Sequence, residues 1–126
     1  MNTILAVAFG GAAGSVARYL TQSCCGKLFG PDFPWGTLAV NVIGSFIMGV
    51  LVETFALRWS ADQVVRALLT VGFLGGYTTF SSFSLDVVVL IQRGETLAAA
   101  FYILASVAVS LAAIFGGLHL MRWVLT

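Results

Sequence analysis

Apolar residues run along this chain in four long blocks, 3–24, 36–57, 64–91 and 97–125, separated by short polar stretches. Each block can supply the roughly 20 apolar residues that a helix needs to cross a bilayer core. The pattern predicts an all-α integral membrane protein, a single four-helix transmembrane domain over residues 1–126. The polar residues inside the blocks are not scattered. In the second block Thr37, Asn41 and Ser45 recur every four residues and share one helix face. Tyr102, Ser106 and Ser110 do the same in the fourth. The third block is interrupted near its middle, where Gly75 and Gly76 are followed by the hydroxyl residues Tyr77, Thr78, Thr79, Ser81, Ser82 and Ser84. A bilayer core offers no water to unpaired backbone groups, so irregular backbone survives there only when buried in protein or lining a wet cavity. Interrupted helices of this kind mark ion and substrate sites in transporters and channels.

Composition agrees with the pattern. The chain is 60% hydrophobic and 9% charged, with a mean hydropathy of +1.02, more apolar surface than a soluble domain of this size could bury. The first residues lack a basic segment and a cleavage site, which reads as a retained first helix. Trp35, Trp59 and Trp123 fall at helix ends, where amphipathic rings favour the headgroup layer. Cys24 and Cys25 are adjacent, a poor geometry for a disulfide and no zinc spacing, and read as packing residues. His119 has no acidic partner at helical spacing and reads as packing or interfacial.

With four helices, both chain termini share one side with Arg58, Arg66 and Arg122, while Arg18, Lys27 and Arg93 fall on the other. Orientation follows the Lys/Arg excess on one side, and here three oppose three. Either a weak bias decides the topology or the chain inserts both ways, which would permit an antiparallel homodimer.

Gly10 and Gly14 form a small-residue packing motif on the first helix. Further along it, Arg18 either snorkels to the headgroups or guards a pore vestibule. Neither Asp86 nor Glu53 is placed at mid-membrane, and no Lys or Arg is. The middle of the bilayer is left with the Asn41 amide, serine and threonine hydroxyls, and the rings of Phe80 and Phe83, three residues apart. Hydroxyls and amides donate hydrogen bonds, and the edge of a phenyl ring is the positive part of its quadrupole. That chemistry points to an anion path.

Three segments carry a likeness to a known family: Gly10-Gly-Ala-Ala-Gly-Ser-Val-Ala-Arg-Tyr19, Gly36-Thr-Leu-Ala-Val-Asn-Val-Ile-Gly-Ser-Phe46 and Gly72-Phe-Leu-Gly-Gly-Tyr-Thr-Thr-Phe-Ser-Ser-Phe83. In order and spacing they resemble the Fluc/CrcB family of fluoride channels. The resemblance implies a fluoride-selective channel of the bacterial inner membrane that exports fluoride and protects against its toxicity. It implies a dual-topology, antiparallel homodimer with two pores and a structural Na+ at its centre, held by the backbone carbonyls of Gly75 and Thr78. Asn41 would be the pore asparagine and Phe80 and Phe83 the paired pore aromatics. Ser81, Tyr102, Ser106 and Ser110 are further expected pore residues, the last three from their stripe. Tyr77 takes no role from the resemblance.

Other functions fit less well. A small multidrug-type proton-coupled exporter needs a membrane-embedded carboxylate, and the first helix has none. A non-transporting assembly subunit would leave the interrupted helix and the polar stripes without a purpose. An enzyme would need a nucleophile and base together, and the lone His119 is far from the interruption. Nothing in the charge pattern suggests nucleic acid; the expected partners are fluoride, a second copy of the chain and the lipid bilayer.

Overall fold

The computed structural model describes residues 2–126. Helix α1 covers Thr3–Phe29 and α2 covers Trp35–Leu57. The third span, Gln63–Gln92, is a composite. It starts as α3 (Gln63–Arg66), widens into a π-helical stretch over Ala67–Leu74, tightens to α4 (Gly75–Tyr77) and restarts as α5 (Phe80–Gln92). Helix α6, Thr96–Leu125, is the fourth span. All four spans are long and apolar enough to cross a membrane.

Three of the expected spans have both ends within a residue of those observed. The first does not: α1 continues five residues past 24, because Cys24, Cys25 and Gly26 stay helical and the chain turns only at Gly30, whose φ is +80°. A positive φ suits a residue without a Cβ. The first loop, expected between residues 24 and 36, is therefore shorter, and Lys27 sits in the last turn of α1.

Two helix pairs make the body of the fold, and glycines set how closely they pack. Helix α1 lies against the π-helical stretch, where a Cβ on Gly10 or Gly14 would strike backbone atoms of Leu68 and Phe73. Helix α2 lies against α6, where Gly49 faces the backbone of Ile114 and Leu118, and Gly117 faces that of Phe46 and Val50. Without a hydrophobic force between helices in lipid, such backbone contact supplies the van der Waals attraction that holds them. At the membrane edge Arg58 donates twice to the Leu125 carbonyl, closing the end of α6. Nearby Arg122 pairs with the buried Glu53 at 3.4 Å.

Candidate functional site

The glycines expected to interrupt the third span do not leave the helix. Gly75 and Gly76 are helical, and the chain departs only at Thr78 (φ −85°, ψ 157°) and Thr79 (φ −152°, ψ 118°). Gly76 serves instead as a contact, its α-carbon turned to the backbone of Gly11 and Ser15 on α1. Upstream, the π-helical stretch ends with the Gly75 N–H reaching back to the Thr70 carbonyl, a wider ring than an α-helix closes and one common near functional sites.

Side chains complete the interruption. Asn41 of α2 takes both main-chain groups of Thr79: its Oδ1 accepts from the Thr79 N–H at 2.8 Å and its Nδ2 donates to the Thr79 carbonyl at 3.1 Å. The Thr79 hydroxyl accepts from the Ser82 N–H at 3.1 Å and caps α5, and the residue is 7% exposed. Tyr77, which had no expected role, reaches α1 with its hydroxyl 3.0 Å from that of Thr21. Thr79 holds more of this region together than expected. Its sequence signal is the one that marks many helix starts, a threonine directly before a new apolar run.

Beside the interruption a groove of about 380 Å³ opens between α2, the third span and α6. Asn41, Ser45, Thr78, Thr79, Phe80 and Phe83 line it on one side, and Ser106 and Ser110 on the other. None of its lining residues is charged. The rings of Phe80 and Phe83 stand 5.4 Å apart, centre to centre, and Phe80 is 79% exposed on this chain. The Oγ atoms of Ser106 and Ser110 are buried and have no hydrogen-bond partner among the described residues. Orphaned hydroxyls of this kind are costly in a dry interior.

A second cavity, about 240 Å³, lies at the α1–α2 loop and is lined by Gln22, Cys25, Thr37, Asp86 and Arg93 among others. Tyr102 stands between the two spaces. Its hydroxyl donates to Asp86 Oδ2 at 2.9 Å and its ring packs 5.2 Å from that of Phe83. The stripe on α2 is thus divided, Thr37 facing the loop cavity and Asn41 and Ser45 the groove. Three expected site residues line neither space: Tyr102, which stands between the two, Ser81 and Arg18. Ser81 is exposed and has its Oγ 3.3 Å from that of Thr79. Arg18 is half-buried on α1 and also lines neither.

The chain is similar to known proteins over most of its length. The family described as CrcB-like protein, Camphor Resistance (CrcB) matches residues 5–118. The chain belongs to the CrcB-like family. Among its relatives it is 57% identical over 122 residues to a protein of Agrobacterium fabrum named fluoride-specific ion channel FluC, covering 97% of this chain and 98% of that one. It is 54% identical over 125 residues to a protein of the same name from Chelativorans sp., with 99% and 100% covered. The relative from Nitrobacter hamburgensis, fluoride-specific ion channel FluC 1, is 54% identical over 119 residues, 94% of each chain.

The cation that the resemblance implies would meet main-chain oxygens beside the interruption of this multi-pass CrcB-like membrane protein. Among the described residues the carbonyls of Gly75 and Thr78 accept no backbone hydrogen bond, because the Thr79 N–H goes to Asn41 Oδ1 and the Ser82 N–H to the Thr79 hydroxyl. Hard carbonyl oxygens suit a hard cation such as sodium. A Cβ built on Gly75 would meet only the Thr70 carbonyl, at 3.8 Å, so this face is open in the single chain.

Proposed function

We propose that this protein is a fluoride channel of the bacterial inner membrane, working as an antiparallel homodimer and releasing fluoride from the cytoplasm. The observation that carries the reading is the groove. Its polar lining consists of neutral side chains, and two of its hydroxyls, on Ser106 and Ser110, are buried with nothing to bond. Fluoride gives up strongly held water to enter such a space. A hydrogen bond to a charged partner contributes about 1.5–3 kcal/mol, so several donors are needed to replace that water. Asn41 and the two serines supply them, and the ring edges of Phe80 and Phe83 add a weaker positive contact. The names of the relatives support the choice of fluoride among small anions.

A second copy of the chain accounts for the open side. Phe80 and the carbonyl face at Gly75 and Thr78 are uncovered here, and balanced loop charges let the two copies insert in opposite directions. Gly75 and Thr78 from each copy would hold a structural sodium ion, whose charge would offset their carbonyl dipoles when bound. The proton-coupled exporter has no support in the groove: Asp86 is bonded to Tyr102 at the loop cavity and Glu53 to Arg122.

The test is efflux from liposomes holding the purified protein, followed with a fluoride-selective electrode and compared with chloride. Rapid fluoride loss with chloride retained is expected. Equal passage of both ions, or of neither, would reject the reading.

A further inference from the structure

We propose that Tyr77 is a positioning residue for the candidate cation site: its hydroxyl, bonded to Thr21 of α1, holds the short α4 turn so that the Gly75 and Thr78 carbonyls stay set for one ion. This rests on the sodium-bound dimer proposed for the function, and it assigns a role to a side chain that lines neither cavity.

The α4 turn is too short to hold itself. It spans three residues, Gly75–Tyr77, and two of them are glycines, the weakest helix formers after proline. A single helical turn fixes several backbone angles for little hydrogen bonding in return. The turn therefore depends on its neighbours. Gly76 rests against the backbone of Gly11 and Ser15 on α1. Thr78, directly after the turn, returns both its N–H and its hydroxyl to the Leu74 carbonyl, at 3.0 and 2.9 Å. Its methyl group occupies the space that Gly44 of α2 leaves free. Among the described residues, the Tyr77 hydroxyl makes the one side-chain hydrogen bond that ties the turn itself to another helix.

The direction of that bond follows from Thr21. Its hydroxyl proton goes to the Ala17 carbonyl one turn back, at 2.9 Å. What Thr21 can offer Tyr77 is a lone pair, so the Tyr77 O–H donates across the 3.0 Å between them. Tyr77 is buried, its ring stacked on Phe73 and set beside Gly44. A buried donor without its partner is costly, so the ring and the hydroxyl together favour one placement of the turn.

That placement matters for the carbonyls. Gly75 and Thr78 line the groove, whereas Gly76 and Tyr77 line neither cavity. The turn is thus fastened to α1 through the two residues that lie between those offering oxygens. Groups that orient the ligands of a metal, without touching it, change its affinity by about 10–100-fold when removed. Tyr77 acts through backbone rather than on a ligand directly, so its effect is smaller.

Tyr77→Phe tests this with little collateral change, because the ring stays and Thr21 keeps its bond to Ala17. Purified protein in detergent, at one protein concentration, is titrated with sodium chloride while choline chloride holds the ionic strength constant. The thermal unfolding temperature is followed. An ion that binds only the folded state begins to raise that temperature near its dissociation constant. In Tyr77→Phe the rise should begin at about three- to tenfold more sodium than in wild type. Thr21→Val, which removes the acceptor, should move the onset the same way, and Thr21→Ser, which keeps a hydroxyl, should leave it in place. The combined Tyr77→Phe and Thr21→Val variant should move it no further than Thr21→Val alone, since both remove one bond. A hydroxyl that only stabilises the fold would lower the unfolding temperature equally at every sodium concentration with the onset unmoved. That result in Tyr77→Phe and Thr21→Val would overturn the proposal and leave the cation standing. A wild type that gains nothing from sodium would overturn both.

Discussion

Asn41→Asp removes one donor and puts a negative charge in its place. The side chain keeps its shape and keeps the oxygen that accepts from the Thr79 N–H at 2.8 Å. It loses the Nδ2 proton that reaches the Thr79 carbonyl at 3.1 Å, and a carboxylate oxygen faces that carbonyl instead. An unsatisfied buried acceptor costs about 1–3 kcal/mol. A second effect acts on the ion. Two like unit charges about 5 Å apart, at an effective dielectric constant near 20, repel by about 3 kcal/mol. At about 1.4 kcal/mol per factor of ten, that alone lowers occupancy of the groove by about a hundredfold. Asn41→Leu provides the contrast, since it removes both bonds to Thr79 and adds no charge. The leucine variant should lose more thermal stability, and the aspartate variant should lose more flux than its loss of stability explains. Both are measured on purified protein, stability by thermal unfolding in detergent and flux by the fluoride electrode after reconstitution. Asn41→Asp conducting within about threefold of wild type would refute the argument that the groove needs a donor at this position.

Phe80→Ile and Phe83→Ile keep apolar bulk but remove the electropositive ring edge. Each should cut fluoride efflux by about tenfold or more while gel filtration shows an unchanged oligomer; wild-type flux in both would leave the rings as packing alone. Gly75→Val meets no crowding inside the chain, so it should keep its helical circular dichroism yet elute as a monomer, and a normal dimer would argue against a shared interface at this face. Adding two or three lysines to the loop between Gly30 and Pro34 should fix one orientation and abolish efflux. Co-expression with an oppositely biased partner should restore it, and full activity from one fixed orientation would exclude the antiparallel dimer.

The four spans were legible because their cause is local. Each is a run of apolar residues long enough to satisfy its own backbone across a bilayer, and no distant contact is needed to specify that. The four-residue spacing of Asn41 with Ser45, and of Ser106 with Ser110, is equally local, and these four line the groove, whereas Tyr102 of the same stripe does not. The family likeness was legible in the same segments, because a helix packed through its backbone needs its glycines at fixed places.

What depended on distant partners was not. Gly75 and Gly76 are the weak helix formers by propensity, yet the helix opens at Thr78 and Thr79, because Asn41 of α2 offers the Thr79 main chain a substitute for its helical bonds. Gly76 stays helical where it meets the backbone of α1. The four-residue stripe on α2 could not reveal that Thr37 faces one space and Asn41 another, nor that Ser81 lines neither. Those assignments are made by which helix lies opposite, and by Tyr102 standing between the two spaces. Residue type and spacing determined the donors this membrane protein possesses. Which of them remain unspent was decided only by tertiary packing, since a donor is free for an ion only after every neighbour has taken its share.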